Sequence, residues 1–344
     1  MTHPAEGPVL VDRFDALLFD LDGVVYVGPS VVAHAAESIA AARGRGVACV
    51  FVTNNAARPP ETVAEHLTEI GVAAGVHDVV TSPQAAVSLL AAYVPPGARV
   101  LVIGGAGIAQ ALRERGYEPV ASLEDSPAAV VQGYSPDLTW RDLAEATFAV
   151  RAGLPWIATN PDLTFPTPRG VAPGNGSLVD VVARTVGRGP DAVAGKPEPA
   201  LLREAIARVG STRPLMIGDR LDTDIAAGTR VDIPSLLVFT GVTTLGELLG
   251  AVPHERPDYL AHDLRALLEP YPVVVESSEA IACGRAVASL TADSIAVAWP
   301  FGSDAWDAVR AAARLAWRCA DAGRPVRVAD VAQVLAEAVG VPAR

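Results

Sequence analysis

The chain has 344 residues, half of them hydrophobic and 19% charged, which suits two or three folded domains and excludes a mainly disordered protein. A formal charge of −12 and a pI near 5.0 exclude a general nucleic-acid binder, which needs clustered Lys and Arg. An anionic substrate would therefore need local positive charge or a metal ion.

In chain order, Met1 to Val11 lacks a basic segment followed by an apolar one, so no signal peptide is expected. The uncharged stretch Val79 to Ala98 is broken by prolines and reads as no membrane span. A cytoplasmic protein without membrane partners is expected. Three cysteines (Cys49, Cys283, Cys319) without a Cys-x-x-Cys, and six scattered histidines, suggest neither a disulfide framework nor a zinc knuckle. Any metal would be a hard ion on carboxylates.

Five near-continuous apolar runs read as buried parallel strands: 16–19, 48–52, 193–194, 215–217 and 235–239. Helical patterns at 31–43, 60–70 and 199–209 separate them. This rhythm predicts a doubly wound α/β fold, a Rossmann-like core around a parallel sheet. The long stretch between Thr53 and Lys196 exceeds one crossover and carries a second βα rhythm, with apolar runs at 100–103, 128–131 and 156–159. It predicts an inserted α/β cap domain. The expected division is 1–83 with 191–271 for the core, 84–190 for the cap and 272–344 for a small α+β extension. In that extension short strands are expected at 273–275, 286–290 and 294–299. A helix follows from 304 to 322, N-capped by Ser303 and closed by Gly323, and a last helix spans 330–339. Gly105-Ala106-Gly107 lacks the third glycine of a dinucleotide loop, since Gln110 stands there, and reads as an ordinary strand-to-helix turn. Trp306 and Trp317 read as packing residues.

The first four core runs end in polar residues: Asp20-Leu21-Asp22-Gly23, Thr53-Asn54-Asn55, Gly195-Lys196-Pro197 and Gly218-Asp219. Open parallel sheets bind ligands beyond the carboxyl ends of their strands. Alone, each segment has a bland reading: a solvated turn, a helix cap, a surface loop. Together they point to a site. Lys196 is marked a second way, because the other 26 basic residues are all arginine, and a lysine is a compact point charge that a planar guanidinium does not replace. Asp20, Asp22 and Asp219 repel one another unless a cation lies among them, and Mg²⁺ suits an oxygen site that also takes a phosphate. Lys196 and the Thr53 hydroxyl would hold phosphate oxygens.

The segments Phe19 to Val24, Val52 to Asn55, Gly195 to Pro197 and Gly218 to Asp224 resemble the four motifs of haloacid dehalogenase-like phosphatases, over roughly residues 12–268. The insertion after the second motif resembles the subfamily of p-nitrophenyl, phosphoglycolate, glycerol-phosphate and pyridoxal phosphate phosphatases. Asn160-Pro161-Asp162 and Pro173-Gly174-Asn175-Gly176 are similar to that subfamily's cap. The resemblance implies that Asp20 attacks phosphorus and forms an aspartyl-phosphate, while Asp22 protonates the leaving alkoxide and then deprotonates water. It implies Mg²⁺ on Asp20, the Asp22 backbone carbonyl and Asp219, with Asp224 supporting Lys196 or the metal shell. Gly23, Thr53, Asn54, Asn55 and Lys196 would bind the phosphoryl group. Asn160, Asp162 and Arg169 would read the leaving group, whereas Arg58 and Arg220 read as surface residues.

The layout is similar to bacterial glycerol-3-phosphate phosphatases with an added C-terminal region, so glycerol 3-phosphate is the expected substrate and phosphoglycolate the alternative. The extension resembles part of an acetyltransferase-like fold but lacks its coenzyme A loop. Its expected role is structural or dimerising, with a homodimer as the expected assembly. A different class of reading, a non-catalytic phosphometabolite sensor acting through the extension, leaves Asp22 without a purpose. A mutase would carry its lid between the first two motifs.

Overall fold

The computed structural model describes residues 8–167, 169–324 and 326–343. They divide into two compact units. One holds the described residues up to Val27, Val31–Cys49 and Arg213 onward; the other holds Gly28–Ser30 and Val50–Thr212.

In the first unit, four parallel strands lie in the order Tyr259–Ala261, Ser235–Val238, Pro214–Gly218, Ala16–Phe19. Ala16 pairs with Pro214 and Phe19 with Ile217, so these two strands end level with each other. Both are buried throughout, as an apolar run without alternation requires. The helix over 31–43 starts later than expected, at Ala35–Gly44. His34 stands in the left-handed region (φ 66°), and the Val32 N–H is used by Val25 O.

Residues 274–298 form a four-stranded antiparallel sheet, Val274–Glu276, Ala280–Cys283, Ala286–Thr291 and Ser294–Ala298. The strand Ala280–Cys283 was not expected. The helix Ala305–Asp321 packs on this sheet, and the helix Ala329–Val339 packs on that helix. The N-cap is Asp304, not Ser303, because the Asp304 carboxylate accepts the Trp306 N–H at 3.0 Å. The apolar face of Ala305–Asp321 does not form a separate core. Val309, Ala312, Leu315 and Trp317 share one buried cluster with Leu237, Phe239 and Leu260 of the parallel sheet.

In the second unit, five parallel strands lie in the order Ala192–Val193, Trp156–Ala158, Ala129–Gln132, Arg99–Ile103, Glu118–Val120. The run at 193–194 was expected in the core sheet. It instead edges this sheet, where Trp156 N–H donates to the Asp191 carboxylate and Asp191 N–H to Trp156 O, which sets the register of two half-buried residues. The strand Val79–Thr81 was also unexpected; it pairs with the end of Ala48–Thr53. Gly107 stands one residue inside the helix Ala106–Glu114. A Cβ there would lie 3.1 Å from Ala56 O, so this turn serves chain packing. No helix among the described residues is long and apolar enough to cross a membrane.

Candidate active site

The first unit builds an acidic centre. Asp20 follows the strand Ala16–Phe19 directly, and its N–H continues the ladder to Ile217 O at 2.8 Å. The chain then turns sharply. Leu21 O accepts the N–H groups of Val24, Val25 and Tyr26, and Gly23 takes φ +87°, a conformation that favours glycine. The turn leaves Asp22 exposed and Asp20 half-buried. Asp219 follows the strand Pro214–Gly218, and Asp224 lies in the π-helical turn Leu221–Ile225; both are almost fully buried. Carboxylate oxygens of Asp20, Asp219 and Asp224 come within 4.8 Å of one another.

Three glycines make this approach feasible. A Cβ on Gly23 would lie 2.5 Å from an Asp219 carboxylate oxygen, and one on Gly218 or Gly241 would overlap Asp224 or Asp219 respectively. The loop 240–243 then grips the centre. Val242 N–H donates to Asp219 Oδ2 at 2.9 Å, Thr243 Oγ1 donates to Asp219 O, and Thr240 Oγ1 donates to Gly23 O at 2.6 Å. Asp224 Oδ2 accepts the Arg220 N–H at 3.1 Å. The Arg220 side chain turns to Asp222 at the surface. Two like charges about 4 Å apart repel by about 4 kcal/mol at an effective dielectric of about 20. An all-oxygen donor set brought together in this way fits a hard divalent cation.

Sequence reasoning missed the loop 240–243. The signal was present: the fifth core run, like the first four, ends in polar residues, Thr240-Gly241. The metal set expected was Asp20, Asp22 and Asp219. The side chain grouped with Asp20 and Asp219 is Asp224, which had been expected to support the metal shell rather than to join it.

The second unit gathers Thr53, Asn54, Asn160, Asp162 and Lys196. Asn54 is the hub. Its amide NH₂ donates to the Asp162 carboxylate (3.1 and 3.2 Å) and to Lys196 O (2.9 Å), while its Oδ1 accepts the Lys196 N–H at 2.8 Å. Its backbone oxygen accepts from Ser82 Oγ and Asn160 Nδ2, each at 2.7 Å. Asn160 O in turn accepts from Asn175 Nδ2, and Asn160 Oδ1 accepts the Asp162 N–H. Thr53 Oγ1 accepts the Asn55 N–H, and Asn55 Oδ1 accepts the Ala57 N–H in a local turn. Asn54 and Asn160 thus have their amides committed to the protein. Lys196 is 2% exposed, and its backbone is held on both sides by one asparagine. The segment 160–162 interlocks with 174–176: Gly174 N–H reaches Leu163 O, Gly176 N–H reaches Asp162 O, and a Cβ on either glycine would overlap the facing chain. Asn175 and Ser82 are contributors the sequence reading did not name as site residues.

Two family profiles match this chain. One described as Haloacid dehalogenase-like hydrolase covers residues 17–118, and one described as HAD-hydrolase-like covers 193–267. D-glycerol 3-phosphate phosphatase of Mycobacterium tuberculosis is 42% identical over 325 residues, 93% of this chain and 91% of that one. An acid sugar phosphatase of Staphylococcus saprophyticus is 37% identical over 75% of this chain and 98% of its own. Among solved structures, a glycerol phosphate phosphatase from M. tuberculosis in complex with magnesium superposes with a TM-score of 0.83 at 39% identity, covering 97% of this chain and 99% of that one. The p-nitrophenyl phosphatase of Archaeoglobus fulgidus gives 0.69 at 29% identity, over 74% and 98%. The chain belongs to the haloacid dehalogenase-like hydrolases, and its named relatives place it among the phosphatases of that family.

Proposed function

We propose that this phosphatase hydrolyses glycerol 3-phosphate to glycerol and phosphate, with Mg²⁺ as cofactor. The observation that carries the substrate is the extent of the match to the mycobacterial D-glycerol 3-phosphate phosphatase. That match spans 93% of the chain, where the acid sugar phosphatase spans 75%. The cofactor is supported by the Asp20, Asp219 and Asp224 cluster and by the magnesium complex of the similar structure.

In the proposed mechanism Asp20 attacks phosphorus in line and becomes the aspartyl-phosphate, breaking the bond to the glycerol oxygen. Asp22, exposed on the turn beside it, gives its proton to that alkoxide; general acid help of this kind is worth about 10²–10⁴-fold. Asp22 then takes a proton from the water that attacks phosphorus, which regenerates Asp20 and releases phosphate. Lys196 and Thr53 offer a cation and a hydroxyl to the non-bridging oxygens, with Asn54 holding the Lys196 backbone in place. Asp20, Asp219 and Asp224 would hold Mg²⁺, which when bound would supply positive charge to offset the repulsion between the attacking carboxylate and the phosphate dianion. Gly23 and Asn55 contribute backbone to the phosphoryl site, and Asn160 and Asp162 shape the region facing the leaving group.

The proposed division has 1–83 and 191–271 as catalytic core, 84–190 as cap and 272–344 as extension, with the short strand Ala192–Val193 paired in the cap sheet. The proposed compartment is the cytoplasm, where three reduced, buried cysteines are at home.

Phosphate release from glycerol 3-phosphate, phosphoglycolate, pyridoxal phosphate, nucleotides and p-nitrophenyl phosphate, with and without EDTA, tests the proposal. Glycerol 3-phosphate is expected to give the highest kcat/KM, with all turnover lost in EDTA. A higher kcat/KM for phosphoglycolate would replace the substrate, and no release from any ester would overturn the reading.

A further inference from the structure

The extension at 274–343 is built into the segments that carry the acidic centre. Three independent contacts of the extension fall on the segments that flank the loop 240–243. On its N-terminal side, Phe239 ends the run of the strand Ser235–Val238, and the Trp306 ring lies 5.1 Å from the Phe239 ring and 5.8 Å from that of His262. The Phe239 N–H is itself held by the carbonyls of Ala261 and His262. On the C-terminal side, the N–H groups of Leu245 and Gly246 donate to Pro342 O and Ala343 O, at 3.1 and 3.0 Å. These are the opening residues of the helix Leu245–Leu249, where backbone N–H groups have no partner within the helix. The same helix receives the Trp317 Nε1–H at Leu248 O, 2.9 Å.

The loop caught between these contacts supplies the Val242 N–H and Thr243 hydroxyl to Asp219 and the Thr240 hydroxyl to Gly23. Leu221 and Ile225, which flank Asp224, lie in the same buried cluster as Val309, Leu315 and Trp317 of the extension. Hydrogen-bond partners behind a metal ligand typically change metal affinity by about 10–100-fold when removed. A clamp on the loop that carries them acts one step further out.

We propose that the extension is a positioning device for the divalent-metal site: Trp306 and the carbonyls of Pro342 and Ala343 clamp the loop 240–243 from both ends and set the affinity of the Asp20, Asp219 and Asp224 cluster for Mg²⁺. This rests on the metal reading of that cluster. Trp306 is a positioning residue that acts through its ring contact with Phe239 and thence the loop.

The test is Mg²⁺ binding by calorimetry to the full chain without substrate, alongside kcat and KM as a function of Mg²⁺. Trp306→Ala is expected to weaken Mg²⁺ binding by about tenfold and to recover its kcat at saturating Mg²⁺ with KM for substrate unchanged. Trp306→Phe, which keeps a ring against Phe239, is expected to restore most of the affinity. Gly246→Ala adds a Cβ 2.9 Å from Ala343 O within a helix that accepts alanine, so it loosens the other end and keeps the test alive should Trp306→Ala fail to fold. Ile281→Val thins the same buried cluster away from the loop and should leave Mg²⁺ affinity unchanged. Wild-type affinity in both Trp306→Ala and Gly246→Ala would overturn the proposal, as would an equal loss in Ile281→Val. Absence of Mg²⁺ binding in the wild type, or its persistence in Asp219→Asn, would instead overturn the metal reading beneath it.

Discussion

The acidic centre and the asparagine network are held in opposite ways. Around Asp20, Asp219 and Asp224, like charges are crowded together and glycines at 23, 218 and 241 remove the side chains that would keep them apart. Around Asn54, every polar group of the amide finds a complement within the protein. The first arrangement costs electrostatic energy until a cation or a proton arrives; the second is satisfied as it stands. One region is therefore built to receive something, and the other to hold something already present, the backbone of Lys196. Their responses to mutation should differ in kind.

The largest effects belong to the acidic turn. Asp20→Asn should lower kcat by about 10⁴-fold or more, the scale of losing a nucleophile, and Asp22→Asn by about 10²–10⁴-fold. Asp22→Asn should keep the wild-type unfolding midpoint, whereas Asp20→Asn should raise it in the absence of Mg²⁺ by relieving the repulsion among the three carboxylates. Equal activity in Asp20→Asn would erase the distinction between the two regions. Gly241→Ala comes next. It drives a methyl into Asp219, so Mg²⁺ binding should be lost and stability should fall by about 1–3 kcal/mol, the usual cost of overpacking, as read by calorimetry and urea titration.

Asn54→Ala should behave differently. It takes the acceptor from the Lys196 N–H and the amide from Asp162, which should cost about 1–3 kcal/mol of stability and raise KM through a loosened Lys196. A loss of activity with an unchanged urea midpoint would show that Asn54 acts on substrate rather than on the fold.

A smaller effect sharpens the contrast from a third buried polar group. Burial, and then the Asp307 charge, push the Cys283 thiol up to about 12 from its ordinary 9.0. Its Sγ lies 3.6 Å from Asp307 Oδ1, and Asp307 is paired with Arg310 at 2.8 Å. The folded thiol stays protonated where the unfolded one ionises. Its contribution to stability is thus complete below pH 9 and is lost as pH rises from there toward 12. Urea titrations over that window should show a shallower alkaline decline in Cys283→Ala than in the wild type, and native Cys283 should resist thiol reagents at pH 8.

Much of this was legible in the sequence because burial on both faces of a sheet leaves uninterrupted apolar runs. Residues 16–19, 100–103 and 215–217 announced their strands, and the Asp20, Asp22, Lys196 and Asp219 positions followed from what stood at the ends of such runs. Short edges were harder to read. Ala192–Val193 is two residues long and belongs to the sheet of Trp156–Ala158, a choice made by the Asp191 contacts to Trp156 that no local pattern reveals. Tyr259–Ala261, three residues long, is equally silent. The loop 240–243 was passed over because threonine and glycine carry no charge, although they hold the charged group. The committed amides of Asn54 and Asn160 were invisible for a related reason: an asparagine facing substrate and one stitching three loops together are the same letter.

The central claim is that Asp20 carries the phosphoryl group. Acid-quenching the enzyme during turnover of ³²P-labelled glycerol 3-phosphate with Mg²⁺, then mapping the label by peptide digestion, tests it directly. The account predicts a hydroxylamine-labile label on the peptide containing Asp20 and none in Asp20→Asn. Label on any other residue, or full turnover by Asp20→Asn, would contradict it.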